Sequence, residues 1–113
     1  MSPRPRQRIA ILISGRGSNM ASLIAAARDP AYPAEVAVVV ANVPDAPGLA
    51  RATALGVPAL AIDHRLYSSR MTFELKLHGA LLEHGVDLVC NAGFMRLLTA
   101  EFVDRWRDRQ LNI

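Results

Sequence analysis

The sequence predicts an α/β domain, a Rossmann-like doubly wound parallel sheet, on three observations. Apolar runs that read as strands start near residues 8, 35, 58, 86 and 110, at intervals of about 23 to 28 residues that suit βα units rather than a sequence repeat. The second run is nearly unbroken Val and Ala from Val36 to Ala41, the pattern of a strand covered on both faces. The first, Ile9-Ala10-Ile11-Leu12-Ile13, passes directly into Ser14-Gly15-Arg16-Gly17-Ser18-Asn19 and an alanine-rich stretch, which reads as strand, tight glycine loop, helix.

Taken in order, residues 1–7 place Pro3 and Pro5 among arginines with nothing to bury, so a mobile basic tail is expected there, with one domain unit over 8–113. The first strand is expected from about 8 to 13 and the first helix from 18 or 19 to 28, capped by Ser18 or Asn19 and ended by Asp29-Pro30. A second strand covers 35–41. Pro47 suits the first position of a helix that Gly56 stops. A third strand is expected over 57–62. Between 69 and 84, Phe73, Leu77, Ala80 and Leu81 make an i, i+4, i+7, i+8 stripe that Gly85 ends. The same helix carries a second apolar set, Met71, Leu75 and Leu82, beside a narrow polar face of Thr72, Lys76, Gly79 and Glu83. One stripe suffices for a sheet, so the second set is expected to meet another surface, either a partner subunit in a homodimer or polypeptide outside this chain. A fourth strand follows over 86–91. Thr99 caps a short helix to about 107, and the fold is expected to break off after the start of a fifth strand at 110.

The totals exclude several classes. With 113 residues, half of them hydrophobic, the chain suits one globular domain. Its apolar runs are far short of the roughly 18 residues that cross a bilayer, and a cytoplasmic protein without membrane contact is expected. Cys90 is the single cysteine, which rules out a disulfide framework and reads as a buried thiol. The net charge of +3 is spread over arginines interleaved with acids, as in Asp104-Arg105-Trp106-Arg107-Asp108-Arg109, so nucleic acid binding is unsupported and steering of a small anion is the better reading. His64, His78 and His84 lack metal-ligand spacing, and no metal is expected.

The glycine loop is the strongest chemical signal. Backbone N–H groups converge at a helix N-terminus, where about half a unit of positive charge accumulates, so Gly17, Ser18 and Asn19 are candidates to hold a phosphate. Met20 stands where a dinucleotide fingerprint needs its third glycine, and the second strand ends at Asn42 rather than an acid, which disfavours NAD. The Lys-Ser/Thr pair of a nucleoside triphosphate loop is also missing. Gly93-Phe94-Met95-Arg96-Leu97-Leu98 follows the fourth strand. By composition it would be core, yet its position is on the ligand edge of a doubly wound sheet. A receiver-type module would need an acidic cluster after the first strand, where Ser14-Gly15 stands instead.

Ile11-Leu12-Ile13-Ser14-Gly15-Arg16-Gly17-Ser18-Asn19, Asp45-Ala46-Pro47-Gly48-Leu49, Ala92-Gly93-Phe94-Met95-Arg96-Leu97-Leu98 and Leu111-Asn112-Ile113 resemble the phosphoribosylglycinamide formyltransferases of purine synthesis, in order over about residues 7–113. The resemblance implies the formyltransferase fold, with 8–113 as its N-terminal nucleotide-binding half, and transfer of a formyl group from 10-formyltetrahydrofolate to the amine of glycinamide ribonucleotide. It implies the nucleotide phosphate on Gly17, Ser18 and Asn19, folate contacts at Arg70, Met95, Arg96, Leu97, Leu98 and Asn112, and a catalytic role for Asn112, whose amide holds the formyl oxygen as it becomes an oxyanion. The family pattern continues past Asn-Ile with a histidine, Pro-Ser and later an aspartate. None of His64, His78 and His84 is placed to replace that histidine, so these 113 residues alone are expected not to transfer formyl groups. Two alternatives stay open: a 10-formyltetrahydrofolate hydrolase of the same fold, and a non-catalytic phosphate-binding module.

Overall fold

A computed structural model describes residues 6–94 and 98–113. It contains five strands, β1 (Gln7–Ile13), β2 (Ala34–Ala41), β3 (Ala59–Ala61), β4 (Leu88–Asn91) and β5 (Gln110–Asn112), and four helices, α1 (Ser18–Ala27), α2 (Pro47–Ala54), α3 (Arg70–Glu83) and α4 (Ala100–Arg105). The strands form one sheet in the order β3-β2-β1-β4-β5, with every neighbouring pair parallel. This is the expected doubly wound α/β fold. The order reverses between β1 and β4, so the loops after those two strands flank the crevice where such sheets bind ligands.

Alternation along β1 sorts the core. Ala10 and Leu12 join Val38, Val40 and Val89 beneath Phe73, Leu77 and Leu81 of α3, Phe102 of α4 and Trp106 at the C-cap of α4. Ile11 and Ile13 join Val39 and Ala41 beneath Met20, Ile24 and Ala52 of α1 and α2. The predicted α3 stripe of Phe73, Leu77, Ala80 and Leu81 is buried, whereas Met71, Leu75 and Leu82 are each about half exposed or more.

Several boundaries move for local reasons. β1 starts at Gln7, whose N–H donates to Pro33 O. Arg6, within the stretch expected as a tail, reaches the carbonyl oxygens of Tyr32, Ala27 and Ala34. β3 keeps only three of the six expected residues. Pro58 has no N–H to add to the ladder, although its carbonyl accepts from Val39 N at 2.8 Å. α3 gains a capping box, Ser69 with Thr72. α4 ends at Arg105 instead of 107, because Asp108 turns left-handed (φ 61°) and Arg109 N closes on Trp106 O at 2.8 Å.

Candidate active site

The loop after β1 is shaped by Gly17, which is the N-cap of α1 in the left-handed region (φ 72°) and gives no side-chain cap. The expected caps Ser18 and Asn19 are therefore corrected to the first two helical residues. The left-handed turn, which only glycine adopts cheaply, sets where the helix begins. The first intrahelical bond runs from Ala21 N to Gly17 O, so the N–H groups of Ser18, Asn19 and Met20 precede it. Ser18 and Asn19 are exposed, and Gly17 is half-buried.

Three contacts fix this loop from behind. Gly48, at the start of α2, donates its N–H to Gly15 O at 2.9 Å, and a Cβ there would lie 2.5 Å from Ile13 Cδ1 and 2.9 Å from Gly15 O. Arg51 of α2 reaches Arg16 O at 3.4 Å. Ser14 Oγ donates to Asn42 Oδ1 at 2.6 Å, and Asn42 is buried at the end of β2. The Asn42 carbonyl and Asn42 Nδ2 in turn lie 2.9 Å and 3.2 Å from His64 Nδ1, which ties Asn42 to the loop after β3. Sequence reading missed Asn42 and His64 as supports. The available signal was a polar residue closing an otherwise apolar strand.

Across the switch point, a cleft of about 650 Å³ runs along β5 from Asp108 and Gln110 to Asn112 and Ile113, walled by Phe94, Leu98, Val103 and Trp106 and by Asn91 of β4. Phe94 and Leu98 also pack on the α3/α4 core. Asn112 lies opposite Asn91 in the ladder, and Asn91 Nδ2 donates to Asn112 Oδ1 at 2.8 Å. Of the expected folate residues, Leu98 and Asn112 line this cleft. Arg70 is exposed as the first residue of α3, and Met95, Arg96 and Leu97 lie outside the described residues.

The end of the loop between β4 and α4 is held by Glu74, a buried carboxylate on α3 that sequence reading did not single out. Thr99 N donates to Glu74 Oε2 at 2.6 Å, and Thr99 Oγ1 donates to Glu74 Oε1. Thr99 also caps α4 as expected, accepting from Phe102 N. Beneath the cleft, Trp106 Nε1 donates to His78 Nδ1 at 3.2 Å, and the Arg109 guanidinium sits 4.7 Å from the Trp106 ring centroid. Burial, then Arg105 and Arg109, holds the His78 imidazole below its ordinary range. Burial likewise pushes the Cys90 thiol up, in keeping with an inert core residue. Among the described residues no group of three or more His, Cys, Asp or Glu is placed to hold a metal ion, and no helix is long and apolar enough to cross a membrane.

Residues 7–113 match the family model described as formyl transferase. The chain belongs to that family. Its sequence is 47% identical over 115 residues to the trifunctional purine biosynthetic protein adenosine-3 of Drosophila melanogaster, a match that takes in 100% of this chain and 8% of that protein. It is 35% identical over 105 residues to the phosphoribosylglycinamide formyltransferase of Escherichia coli K12, covering 93% of this chain and 50% of that one. The crystal structure of phosphoribosylglycinamide formyltransferase from Brucella melitensis superposes with a TM-score of 0.93 at 39% identity, over 96% of this chain and 56% of that chain. This formyl transferase chain thus spans about half the length of those bacterial relatives.

Proposed function

We propose that this formyl transferase chain serves transfer of the formyl group of 10-formyltetrahydrofolate to the amine of glycinamide ribonucleotide. The observation that carries the reading is the pairing of two sites at one switch point: a left-handed glycine loop with free helix N–H groups after β1, and a part-apolar cleft holding Asn112 beside β4. The loop suits a nucleotide phosphate on Gly17, Ser18 and Asn19. The cleft, lined by Leu98, Phe94 and Asn112, suits a folate, with Arg70 at the head of α3 as a further candidate contact.

In the reaction the amine nitrogen attacks the formyl carbon, the carbonyl oxygen becomes an oxyanion, and collapse breaks the bond to N10 of the folate. The amine loses a proton and tetrahydrofolate gains one. Asn112 is the donor proposed for the oxyanion; removing one such donor typically slows a reaction on the order of 10²- to 10³-fold. The three histidines are each engaged elsewhere: His64 with Asn42, His78 with Trp106, His84 with the Ala80 carbonyl. None of them is given the proton transfer.

Titration of the protein with glycinamide ribonucleotide in a calorimeter tests the reading. Binding that inorganic phosphate competes away is expected. Binding of the folate without the nucleotide would instead favour the hydrolase, which has no nucleotide phosphate to hold. Sedimentation velocity addresses the exposed Met71, Leu75 and Leu82 face: a concentration-dependent dimer is expected if that face meets a second copy.

A further inference from the structure

We propose that Asn91 is a positioning residue for Asn112, taking the carbonyl end of the Asn112 amide so that its NH2 group is the end presented to the cleft. The consequence for catalysis rests on the formyl-transfer reading above; the geometry does not. Parallel pairing sets Asn91 beside Asn112, and Ile113 N donates to Asn91 O at 2.9 Å, which fixes the two strands at this level. Directly paired residues of a ladder project from the same face of the sheet. The Asn91 Nδ2 to Asn112 Oδ1 bond of 2.8 Å follows from that register.

Asn91 is an unexpected residue for this position. Its neighbour on the other side is Leu12 of β1, fully buried, and two residues earlier on its own strand the same face carries buried Val89. Asn91 Oδ1 is itself buried and has no hydrogen-bond partner among the described residues. A desolvated, unmatched acceptor costs stability that a leucine of similar size would not. What the amide gains in return is the bond to Asn112.

That bond has a chemical consequence because a terminal amide has two unlike ends. Its oxygen accepts and its NH2 donates. With the Asn112 oxygen committed to Asn91, the end left for the cleft is the donor, and a donor is what an oxyanion needs. Without Asn91, the terminal torsion of Asn112 is broad and either end can face the cleft.

Two variants separate this from a packing role. Asn91→Leu keeps the volume and removes the donor. Asn91→Asp offers only acceptors, so it draws the Asn112 NH2 group back and turns the oxygen to the cleft. Side-chain amide NMR of the 113-residue protein reads the geometry: an ordered Asn112 NH2 pair with a positive heteronuclear NOE is expected in the parent and a mobile one in Asn91→Leu. Equal order in both overturns the proposal. In formyl-transfer assays of a polypeptide that extends these residues with the family's histidine and aspartate, kcat is expected to fall about tenfold in Asn91→Leu and on the order of 10²-fold in Asn91→Asp, with KM for glycinamide ribonucleotide unchanged. Unchanged kcat in a well-folded Asn91→Leu also overturns it, and this variant decides alone should Asn91→Asp fail to fold. A parent protein that binds no glycinamide ribonucleotide defeats the functional reading instead, and the NMR comparison still decides the orientation of Asn112.

Discussion

The glycine loop after β1 and the cleft along β5 lie on either side of one switch point, but the first is made of backbone and the second of side chains. Gly17, Ser18 and Asn19 offer N–H groups whose directions are set by the chain itself, and the loop is braced by contacts with α2 and β2. The cleft gathers Asn91, Phe94, Leu98, Trp106 and Asn112 from β4, α4, β5 and their connections. A backbone site is broken by changing where the chain can go. A side-chain site is broken by releasing what holds each group in place.

The largest effect is expected where a side chain is forced into the backbone site. Gly48→Val places a Cβ 2.5 Å from Ile13 Cδ1 and 2.9 Å from Gly15 O, atoms of a buried strand and of the loop itself. Overpacking of this kind costs about 3 kcal/mol. A drop in the thermal midpoint with loss of nucleotide binding is expected; an unchanged midpoint would mean that α2 does not brace the loop. On the cleft side the matching change is Glu74→Ala, which leaves Thr99 N without its acceptor. A lost hydrogen bond to a charged group costs about 2 kcal/mol. Denaturant unfolding should show that loss, and folate binding should weaken more than nucleotide binding. Glu74→Gln, which keeps the shape, should recover most of it. Equal losses for both ligands would show that Glu74 supports the fold as a whole rather than the cleft.

The same contrast explains what was legible in the sequence. Strand runs, the α3 stripe and the glycine loop are local signals, and each lies within one element, so the sheet and the phosphate candidates follow from periodicity and turn chemistry. The helix cap moved from Ser18 or Asn19 to Gly17 because backbone handedness, rather than side-chain preference, decided it. Glu74 was not legible: a lone acid on a helix reads as solvated, and its burial depends on Thr99, 25 residues later. The Asn91 to Asn112 bond depends on the β4–β5 register, and the Ser14, Asn42 and His64 chain on the loops after three separate strands. Composition alone assigned Phe94 and Leu98 to the core; they do pack on it, and they also wall the cleft.

A smaller effect is expected from Gly17→Ala. The added Cβ would approach Met20 Cε at 2.9 Å, but this is the end of a flexible side chain and can give way. The left-handed φ of 72° cannot be relieved so easily and costs about 1 kcal/mol. Calorimetric affinity for glycinamide ribonucleotide should fall about tenfold as the N–H groups splay, while folate binding stays as it was. Parallel losses for both ligands would remove the distinction between a backbone site and a side-chain site.

The smallest effect is a pH dependence on the cleft side alone. His78 accepts from Trp106 Nε1, so its Nδ1 must be unprotonated in the folded protein, and burial with Arg105 and Arg109 nearby disfavours the cation further. The folded imidazole therefore titrates below its ordinary value of 6.5. Between the two values the unfolded chain binds more protons than the folded one, so stability is full above about pH 6.5 and declines as pH falls through the folded value. Protonation removes the acceptor from Trp106, the buried residue from which the chain turns towards β5 and Asn112. Unfolding midpoints measured from pH 7.5 to 5 should fall in the parent and fall less in His78→Phe, which keeps an aromatic ring against Trp106 without a titrating nitrogen. Folate affinity should follow the same profile, because the cleft shares Trp106. Phosphate-competed nucleotide binding should not show a His78-dependent change, because the glycine loop shares no contact with this pair. If the histidine variant altered both profiles equally, the two regions would be mechanically one.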